Sequence, residues 1–350
     1  MERDGRVAHV HSTGEPREHL VMFSTDIHND IMTLASRYDR EQVVVVGIGV
    51  LDLPFPTLTI HTDEEHKSIE VVEQIWDFLL AHRITRRGLL ICVGGGILTD
   101  LGGFAAATYK RGIDYVNVPT TLLAMVDASS GGKTGFNYRG LKNAIGVFRS
   151  PVETIICPTL LETLPAKEML SGFGEMLKTT LLSDETGWNR LLQYDLERMD
   201  IAELTPLIED CVRVKEKIVA ADPKEEGLRK ALNLGHTFGH VLEEMSLGAM
   251  PHGYAVVYGL IAELYLSVVR LGCPREPLQQ LTQLMVHYYG KPQCKCSERE
   301  RLIALMQQDK KNERTAEINC TLIRQIGEPA INQVISADEA LEALEYLFAL

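Results

Sequence analysis

The feature that most constrains this chain is a change of hydrophobic rhythm near residue 165. Before it, short β-branched runs alternate with helical stretches. Gln42–Val50 (QVVVVGIGV) and Leu89–Val93 (LLICV) read as buried strands, and Tyr115–Val118 and Thr154–Ile156 are shorter candidates of the same kind. Ser68–His82 has helical spacing and lies between two of them. Strands alternating with helices predict a largely parallel sheet with ligand sites at its carboxyl edge. From Pro165 onward such runs nearly vanish. Long amphipathic segments replace them: Pro165–Ser183, Thr205–Ala221, Asn233–Leu247, Val256–Leu271 and Arg275–Tyr289. The expected organisation is an α/β domain over residues 1–160 followed by a helical domain over residues 161–350, the boundary falling within Leu160–Pro165.

One interval conflicts with a regular parallel sheet. Only seven residues, Leu51–Thr57, separate the strand ending at Val50 from the extended run Leu58–His61. A parallel crossover ordinarily needs a dozen or more residues, and the two prolines in this gap oppose a helix. Either these strands are not parallel neighbours or a crossover has been shortened.

Composition narrows the function classes. At 350 residues, with 45% hydrophobic and 24% charged side chains, the chain is long enough for two ordinary globular cores. Its formal charge of −13 argues against a nucleic-acid partner. The sign inverts locally: Lys110, Arg111, Lys133, Arg139 and Lys142 face only Asp114 and Asp127 in the same stretch, which points to a small anionic ligand. The apolar run Tyr254–Val269 carries Glu263 and is read as too short and too polar for a membrane span. Met1–Arg6 lacks the apolar core of a secretory signal. The seven cysteines are odd in number and form no disulfide framework, so a reducing, cytoplasmic setting is expected. Cys294-Lys295-Cys296 has no partner pair and reads as a surface loop with free thiols.

Two glycine-bearing blocks carry the anion signal. Gly94-Gly95-Gly96 follows the strand Leu89–Val93 and leads into the helical stretch Gly103–Tyr109. Glycines at such a turn let backbone N–H groups approach a pyrophosphate, and a helix amino end adds partial positive charge. The spacing is not G-x-G-x-x-G, so this is not the usual Rossmann fingerprint. Gly131-Gly132-Lys133-Thr134 echoes the end of a P-loop, but Asp127 stands where that motif needs its first glycine. What remains is a glycine pair presenting a lysine and hydroxyls to an anion.

The helical half carries a metal signal. Gly172-Phe173-Gly174-Glu175-Met176-Leu177-Lys178 is followed by Asn233-Leu234-Gly235-His236-Thr237-Phe238-Gly239-His240 and by Pro251-His252-Gly253. His236 and His240 stand four residues apart and can share a helix face. One glutamate with two histidines is the donor set of an open catalytic zinc site. Spacing alone leaves open which two histidines ligate. Asp222–Arg229 is a polar loop leading into the histidine segment, which singles out Arg229 among the cations Lys178, Lys215 and Arg229.

These motifs, in this order, resemble the sugar-phosphate cyclases, and within them the 3-dehydroquinate synthase family. The likeness spans roughly Glu64 to Ile326. It rests on GGGILTDLGGFAAATYKRG (Gly94–Gly112), VPTTLLAMVDASSGGKTGFN (Val118–Asn137), LKNAIG (Leu141–Gly146), Gly172–Lys178, GLRKALNLGHTFGH (Gly227–His240), His252-Gly253 and Asp309-Lys310-Lys311. The resemblance implies a Rossmann-like NAD-binding α/β domain and a helical metal-binding domain, with the active site in the cleft between them, and a homodimer. It implies that Glu175, His236 and His252 hold Zn2+ or Co2+, and that His240 relays protons. Asp127, Lys178, Lys215, Arg229 and Asn233 match substrate contacts. Arg111, Lys133, Asn143 and one of Lys310 or Lys311 match the phosphate and carboxylate cradle. Glu64, Lys67, Gly95, Gly96, Ile97, Asp100, Thr120, Thr121, Lys133, Lys142, Thr163, Leu164 and Glu168 match NAD contacts. The implied reaction takes a seven-carbon 2-keto acid phosphate through transient oxidation by NAD, β-elimination of phosphate, re-reduction, ring opening and intramolecular aldol closure.

The chain departs from the family pattern in places. Gly47-Ile48-Gly49 stands where an Asp and an Asn usually contact the adenosine end of NAD. Tyr254 replaces the Glu that normally follows His252-Gly253, which removes a carboxylate beside a metal ligand. Ser130 and Phe136 replace aliphatic residues around Lys133. The rival readings are an iron-type alcohol or glycerol dehydrogenase, another sugar-phosphate cyclase, and a catalytically impaired homologue that binds without turnover.

Overall fold

The computed structural model describes residues 6–10, 16–292, 299–307 and 317–350. The sequence features at Cys294-Lys295-Cys296 and Asp309-Lys310-Lys311 lie outside the described residues. In chain order the strands are β1 (Arg6–Val10), β2 (Pro16–Phe23), β3 (Val43–Gly47), β4 (Thr57–Thr59), β5 (Leu89–Gly94), β6 (Asp114–Pro119), β7 (Lys133–Tyr138), β8 (Leu141–Phe148), β9 (Glu153–Ile156), β10 (Ile318–Gln325) and β11 (Glu328–Ile335). The α-helices are α1 (Ile27–Ala35), α2 (Ile69–Ala81), α3 (Gly96–Thr108), α4 (Ala166–Leu181), α5 (Glu185–Leu192), α6 (Ile201–Ala221), α7 (His236–Met245), α8 (His252–Leu271), α9 (Glu276–Leu284), α10 (Arg299–Gln307) and α11 (Ala337–Ala349). The chain divides into two compact units, Met1–Leu164 and Pro165–Leu350.

In the first unit seven strands form one sheet in the order β1-β2-β9-β6-β5-β3-β4. The β1–β2 pair is antiparallel and the other pairings are parallel. The unbroken apolar runs are explained by burial on both faces. Val44 and Val46 of β3, with Leu90 and Cys92 of β5, point into a core shared with α2 and α3. Val43, Val45, Leu89, Ile91 and Val93 point the opposite way, into a core shared with α1. The conflict over the interval after β3 resolves as a shortened crossover. β3 and β4 are parallel neighbours, with Val45 opposite Thr57, joined by residues 48–56 with no helix between them.

The lysine and hydroxyl presented after the glycine pair, Lys133 and Thr134, open a hairpin. β7 and β8 pair antiparallel through the two-residue turn Arg139-Gly140, whose φ values are +49° and +80°. A turn with both central residues at positive φ matches the right-handed twist of its strands, and glycine supplies one of them at no steric cost.

The second unit is built around α8, which packs against α4, α7, α9, α11 and β10. This helix runs longer than the apolar run read from sequence. It spans 20 residues at a mean hydropathy of 1.5, enough by length and composition to cross a membrane. However, 67% of its apolar window is buried within the fold, as in the core helix of a globular unit. The helical reading of this half missed the β10–β11 hairpin, which turns at Ile326-Gly327 with Gly327 at φ +82°.

Candidate active site and metal centre

Glycines bring the metal-type side chains together. A Cβ built on Gly253, the second residue of α8, would lie 1.7 Å from the Ser171 carbonyl oxygen of α4. One built on Gly174 would lie 2.4 Å from the Gly253 carbonyl oxygen. Helices α4 and α8 therefore touch backbone to backbone, and the residues next to the contact, Glu175 and His252, are carried into reach of each other. Gly259 plays the same part between α8 and α7, where an added Cβ would meet the Gly235 carbonyl oxygen at 1.8 Å.

The result is a three-residue cluster. One donor atom from each of Glu175, His236 and His252 lies within 4.8 Å of the others. Glu175 is fully buried; its Oε1 stands 3.1 Å from His252 Nε2 and 3.5 Å from His236 Nε2. Each imidazole is oriented through its other nitrogen. His236 Nδ1 donates to the Leu234 carbonyl at 3.1 Å, and His252 Nδ1 donates to Glu243 Oε2 at 2.9 Å. Those bonds place a proton on each Nδ1 and turn each Nε2 toward Glu175, the atom a metal would take once any proton there is displaced. Burial pulls His252 toward its neutral form, but the Glu175 and Glu243 carboxylates more than offset this and push its pKa up to about 10. A pocket that holds a proton so firmly is electrostatically set for a cation, and a divalent ion suits two imidazoles and a carboxylate.

Glu243 was not singled out in the sequence. The carboxylate expected to be lost at Tyr254 is supplied here from α7, one turn beyond His240. Tyr254 packs edge-on against Tyr289 with ring centroids 4.8 Å apart. Tyr289 in turn donates to the Leu170 carbonyl at 2.8 Å. A signal for Glu243 was available: it stands three residues after His240 and seven after His236, on one helical stripe.

His240 lies beside the cluster, its ring centroid 5.0 Å from that of His236 and 6.1 Å from that of His252. Lys178 is buried, and its ammonium forms an ion pair with Glu175 Oε2 from one turn along α4. Lys215 and Arg229 are also buried. Arg229 is placed by Asp222, whose Oδ2 accepts from the Gly227 and Arg229 amides at 2.7 and 3.0 Å and whose Oδ1 accepts from the Glu226 amide at 3.0 Å. The Arg229 guanidinium donates to the Pro223 carbonyl at 2.8 Å. Desolvation would raise the Asp222 pKa, but those three amides outweigh it and hold it below its ordinary value. Asn233 donates to Glu225 Oε1 at 2.9 Å.

In the first unit, Gly95 is the residue before α3 and Gly96 its first, at the carboxyl end of β5. A Cβ on Gly96 would meet Ala128 at 2.8 Å, and one on Gly95 would meet Thr121 at 3.2 Å. The Thr120 amide donates to the Gly94 carbonyl at 3.0 Å, so the Thr120-Thr121 turn lies along the glycine turn. Asp127 lies in the π-helical turn Ala124–Ala128, beside the Ala128 that a Cβ on Gly96 would meet. The cradle is thus walled closely enough to admit only backbone at its base, the shape a pyrophosphate needs.

Five predicted residues meet in one network around the β7–β8 hairpin. Lys67 Nζ donates to Asp100 Oδ2 at 2.5 Å and to Asn143 Oδ1 at 2.6 Å. Asn137, which the sequence reading passed over, links them further. It donates to Glu64 Oε1 at 2.8 Å and accepts from the Asn143 amide at 2.8 Å. Lys142 stands 3.7 Å from Glu64 Oε1. Arg111 and Lys133 are exposed, Arg111 in the turn after α3 and Lys133 at the start of β7. Thr163 and Leu164 close the first unit, whereas Glu168 lies in the first turn of α4 in the second.

Residues 57–171 match the 3-dehydroquinate synthase N-terminal family and residues 172–312 the 3-dehydroquinate synthase C-terminal family. A 3-dehydroquinate synthase from Parabacteroides distasonis is 42% identical over 294 residues, covering 83% of each chain. Among solved structures, 2-epi-5-epi-valiolone synthase from Streptomyces hygroscopicus subsp. jinggangensis 5008, with NAD+ and Zn2+ bound, superposes with a TM-score of 0.84 at 26% identity. That match covers 94% of this chain and 96% of the other. A 2-deoxy-scyllo-inosose synthase complexed with carbaglucose-6-phosphate, NAD+ and Co2+ shares the fold with a TM-score of 0.82 at 19% identity, covering 97% and 99%.

Proposed function

The chain belongs to the 3-dehydroquinate synthase family, and from that premise we propose that it converts 3-deoxy-D-arabino-heptulosonate 7-phosphate to 3-dehydroquinate and phosphate, with NAD and Zn2+ or Co2+ as its cofactors. The observation that carries this reading is the convergence of Glu175, His236 and His252 within 4.8 Å in a unit that also buries Lys178, Lys215 and Arg229. A dehydrogenase of simple polyols has no phosphate or carboxylate to neutralise, so this density of desolvated cations favours the cyclase.

In this reading Glu175 and the Nε2 atoms of His236 and His252 hold the ion and leave its remaining positions to substrate oxygens or water. When bound, NAD supplies a hydride acceptor that is regenerated each turnover, and the divalent ion supplies Lewis acidity. The α3 amides at Gly95, Gly96 and Ile97 take the pyrophosphate, with Thr120 and Thr121 beside them. Glu64, Lys67, Asp100 and Lys142 fix the hairpin against that turn, and Thr163, Leu164 and Glu168 complete the dinucleotide contacts. Residues 1–160 form the NAD-binding domain and residues 161–350 the metal- and substrate-binding domain. Arg111, Lys133, Asn143 and one of Lys310 or Lys311 face the substrate's phosphate and carboxylate, with Asp127 and Asn233 orienting its hydroxyls. Lys178, Lys215 and Arg229 stabilise the charge that develops as phosphate departs, an effect magnified where water is excluded. His240, edge-on to His236, moves protons at the ring oxygens. The assembly is a homodimer.

The test is a turnover assay of the purified protein with NAD and Co2+ or Zn2+. Phosphate release from 3-deoxy-D-arabino-heptulosonate 7-phosphate without net NADH is the expected result. Steady NADH production from a simple polyol would replace this reading with a dehydrogenase, and ligand binding without turnover would replace it with an impaired homologue.

A further inference from the structure

The amino end of α7 carries the ligand His236 yet has no cap of its own. Gly235 precedes it at φ +81°, and no side chain from the segment itself closes the first turn. Helices ordinarily meet that need with Ser, Thr, Asp or Asn at this position. Here the cap comes from another helix. Glu263, on α8 and fully buried, accepts the Gly235 amide on Oε2 and the Thr237 amide on Oε1, the latter at 3.2 Å. Those two amides flank His236 on either side. We propose that Glu263 is a positioning residue of the metal centre, its carboxylate holding the His236 backbone so that the imidazole meets Glu175 and His252 ready for the ion. The proposal rests on the metal-centre reading above.

Four further points support it. A carboxylate at a helix amino end is favoured by the helix dipole, which makes a buried charge tenable there. The same stretch of α8 is anchored one turn on, where Ser267 Oγ donates to the Glu263 carbonyl at 2.7 Å and accepts the Ile323 amide of β10 at 3.1 Å. Thr237 Oγ1 donates to the Asn319 carbonyl of the same strand at 3.1 Å. Finally, His252 is the first residue of α8 and Glu263 lies eleven positions along it, about 16 Å at 1.5 Å per residue. A single rigid helix thus bears one imidazole ligand and the carboxylate that sets the other, so their separation is fixed by helix geometry.

The experiment compares Co2+ affinity, measured by competition with a chromophoric chelator, in the unsubstituted full-length protein, in Glu263→Gln and in Leu344→Ala. Gln keeps the shape but offers one acceptor to two amides. Leu344 is an apolar side chain fully buried in α11, so its truncation lowers stability without removing a hydrogen bond or a ligand from the site. Glu263→Gln is expected to lose 10- to 100-fold in Co2+ affinity, the range for outer partners of metal ligands, with altered visible Co2+ absorption. Leu344→Ala is expected to lower the melting temperature while keeping affinity within threefold. If Glu263→Gln loses no more affinity than Leu344→Ala, the proposal is overturned. If Glu263→Gln is not recovered folded, Glu263→Asp, too short to reach both amides, must show the same loss. Failure of the unsubstituted protein to take up one Co2+ per chain overturns the metal-centre reading itself, whatever the variants do.

Discussion

Substituting Gly253 by alanine should dismantle the metal centre without touching a ligand. The added methyl would lie 1.7 Å from the Ser171 carbonyl oxygen, whereas ordinary contact begins at 3.4 Å. Relief therefore requires α4 and α8 to part by 3.4 − 1.7 = 1.7 Å at this crossing. The obstructing atom is backbone, so no side-chain rotation avoids the shift. Metal sites tolerate ligand displacements of only about 0.2 Å, and Gly253 is next to His252 while its contacts on α4, Ser171 and Gly174, lie one turn and one residue before Glu175. Zn2+ or Co2+ affinity should fall by at least about 100-fold, beyond the usual effect of disturbing an outer partner. Overpacking of this kind costs about 1–3 kcal/mol, which lowers the melting temperature by roughly 2–12 °C in a unit of this size. Metal uptake by chelator competition and melting of the metal-free protein measure the two effects separately. Gly248→Ala is the control, since its φ of +85° adds backbone strain with nothing within 4 Å to strike. A Gly253→Ala protein that binds metal like the parent would refute the argument that this close approach assembles the site.

Lys178→Ala should lower kcat by about 100- to 1,000-fold, the scale for removing one charge-stabilising group, while elemental analysis finds metal content intact; loss of metal would contradict the separation of roles. Glu243→Gln removes the charged partner of His252 Nδ1 and should weaken Co2+ binding about tenfold, read by the same chelator titration, whereas unchanged affinity would return that carboxylate to a surface role. Lys67→Met should break a largely buried ion pair with Asp100, raising the NAD dissociation constant about tenfold or more and speeding amide exchange in β7 and β8; exchange unchanged from the parent would deny the hairpin its tether. Asp222 has a depressed pKa in the fold, so its stabilising contribution is present above the unfolded value near 4 and is lost as pH falls through the folded value. Asp222→Asn should therefore flatten the acid limb of the melting-temperature curve and raise KM for the phosphate substrate, and an unaltered acid limb would reject that assignment.

Much of this arrangement could be read from residues alone, where one local pattern sufficed. The valine run of β3 and the aliphatic run of β5 announced strands buried on two faces, and Gly94–Gly96 announced a turn into a helix, although α3 begins at Gly96 and not at Gly103 as the sequence suggests. Features that depend on partners distant in sequence were not legible. The β7–β8 hairpin is polar and glycine-bearing, and its order comes from Lys67, Asp100 and Asn137 reaching across up to 76 residues. The β10–β11 hairpin sits in a helical context, where its short alternating segments carry little periodic weight against long neighbours. Among the chemical groups, Glu175, His236 and His252 could be named from motif resemblance and are brought together in space. Glu243 and Glu263 could not be ranked above other helix carboxylates, because what distinguishes them is a tertiary hydrogen bond. The Tyr254 departure looked like the loss of a charge beside a ligand. The fold places an aromatic contact there and a carboxylate from α7 on the imidazole instead.

The abbreviated link between β3 and β4 also bears on how this protein behaves in concentrated solution. An open sheet ends in strands whose outer amides and carbonyls can recruit a foreign chain. At the edge opposite β1 that margin is only Thr57–Thr59, entered through Pro56, which has no amide hydrogen to offer. Three residues give an incoming strand too few bonds to offset the entropy of ordering it. Truncating the crossover thus leaves a border that resists stacking of one molecule's sheet on the next.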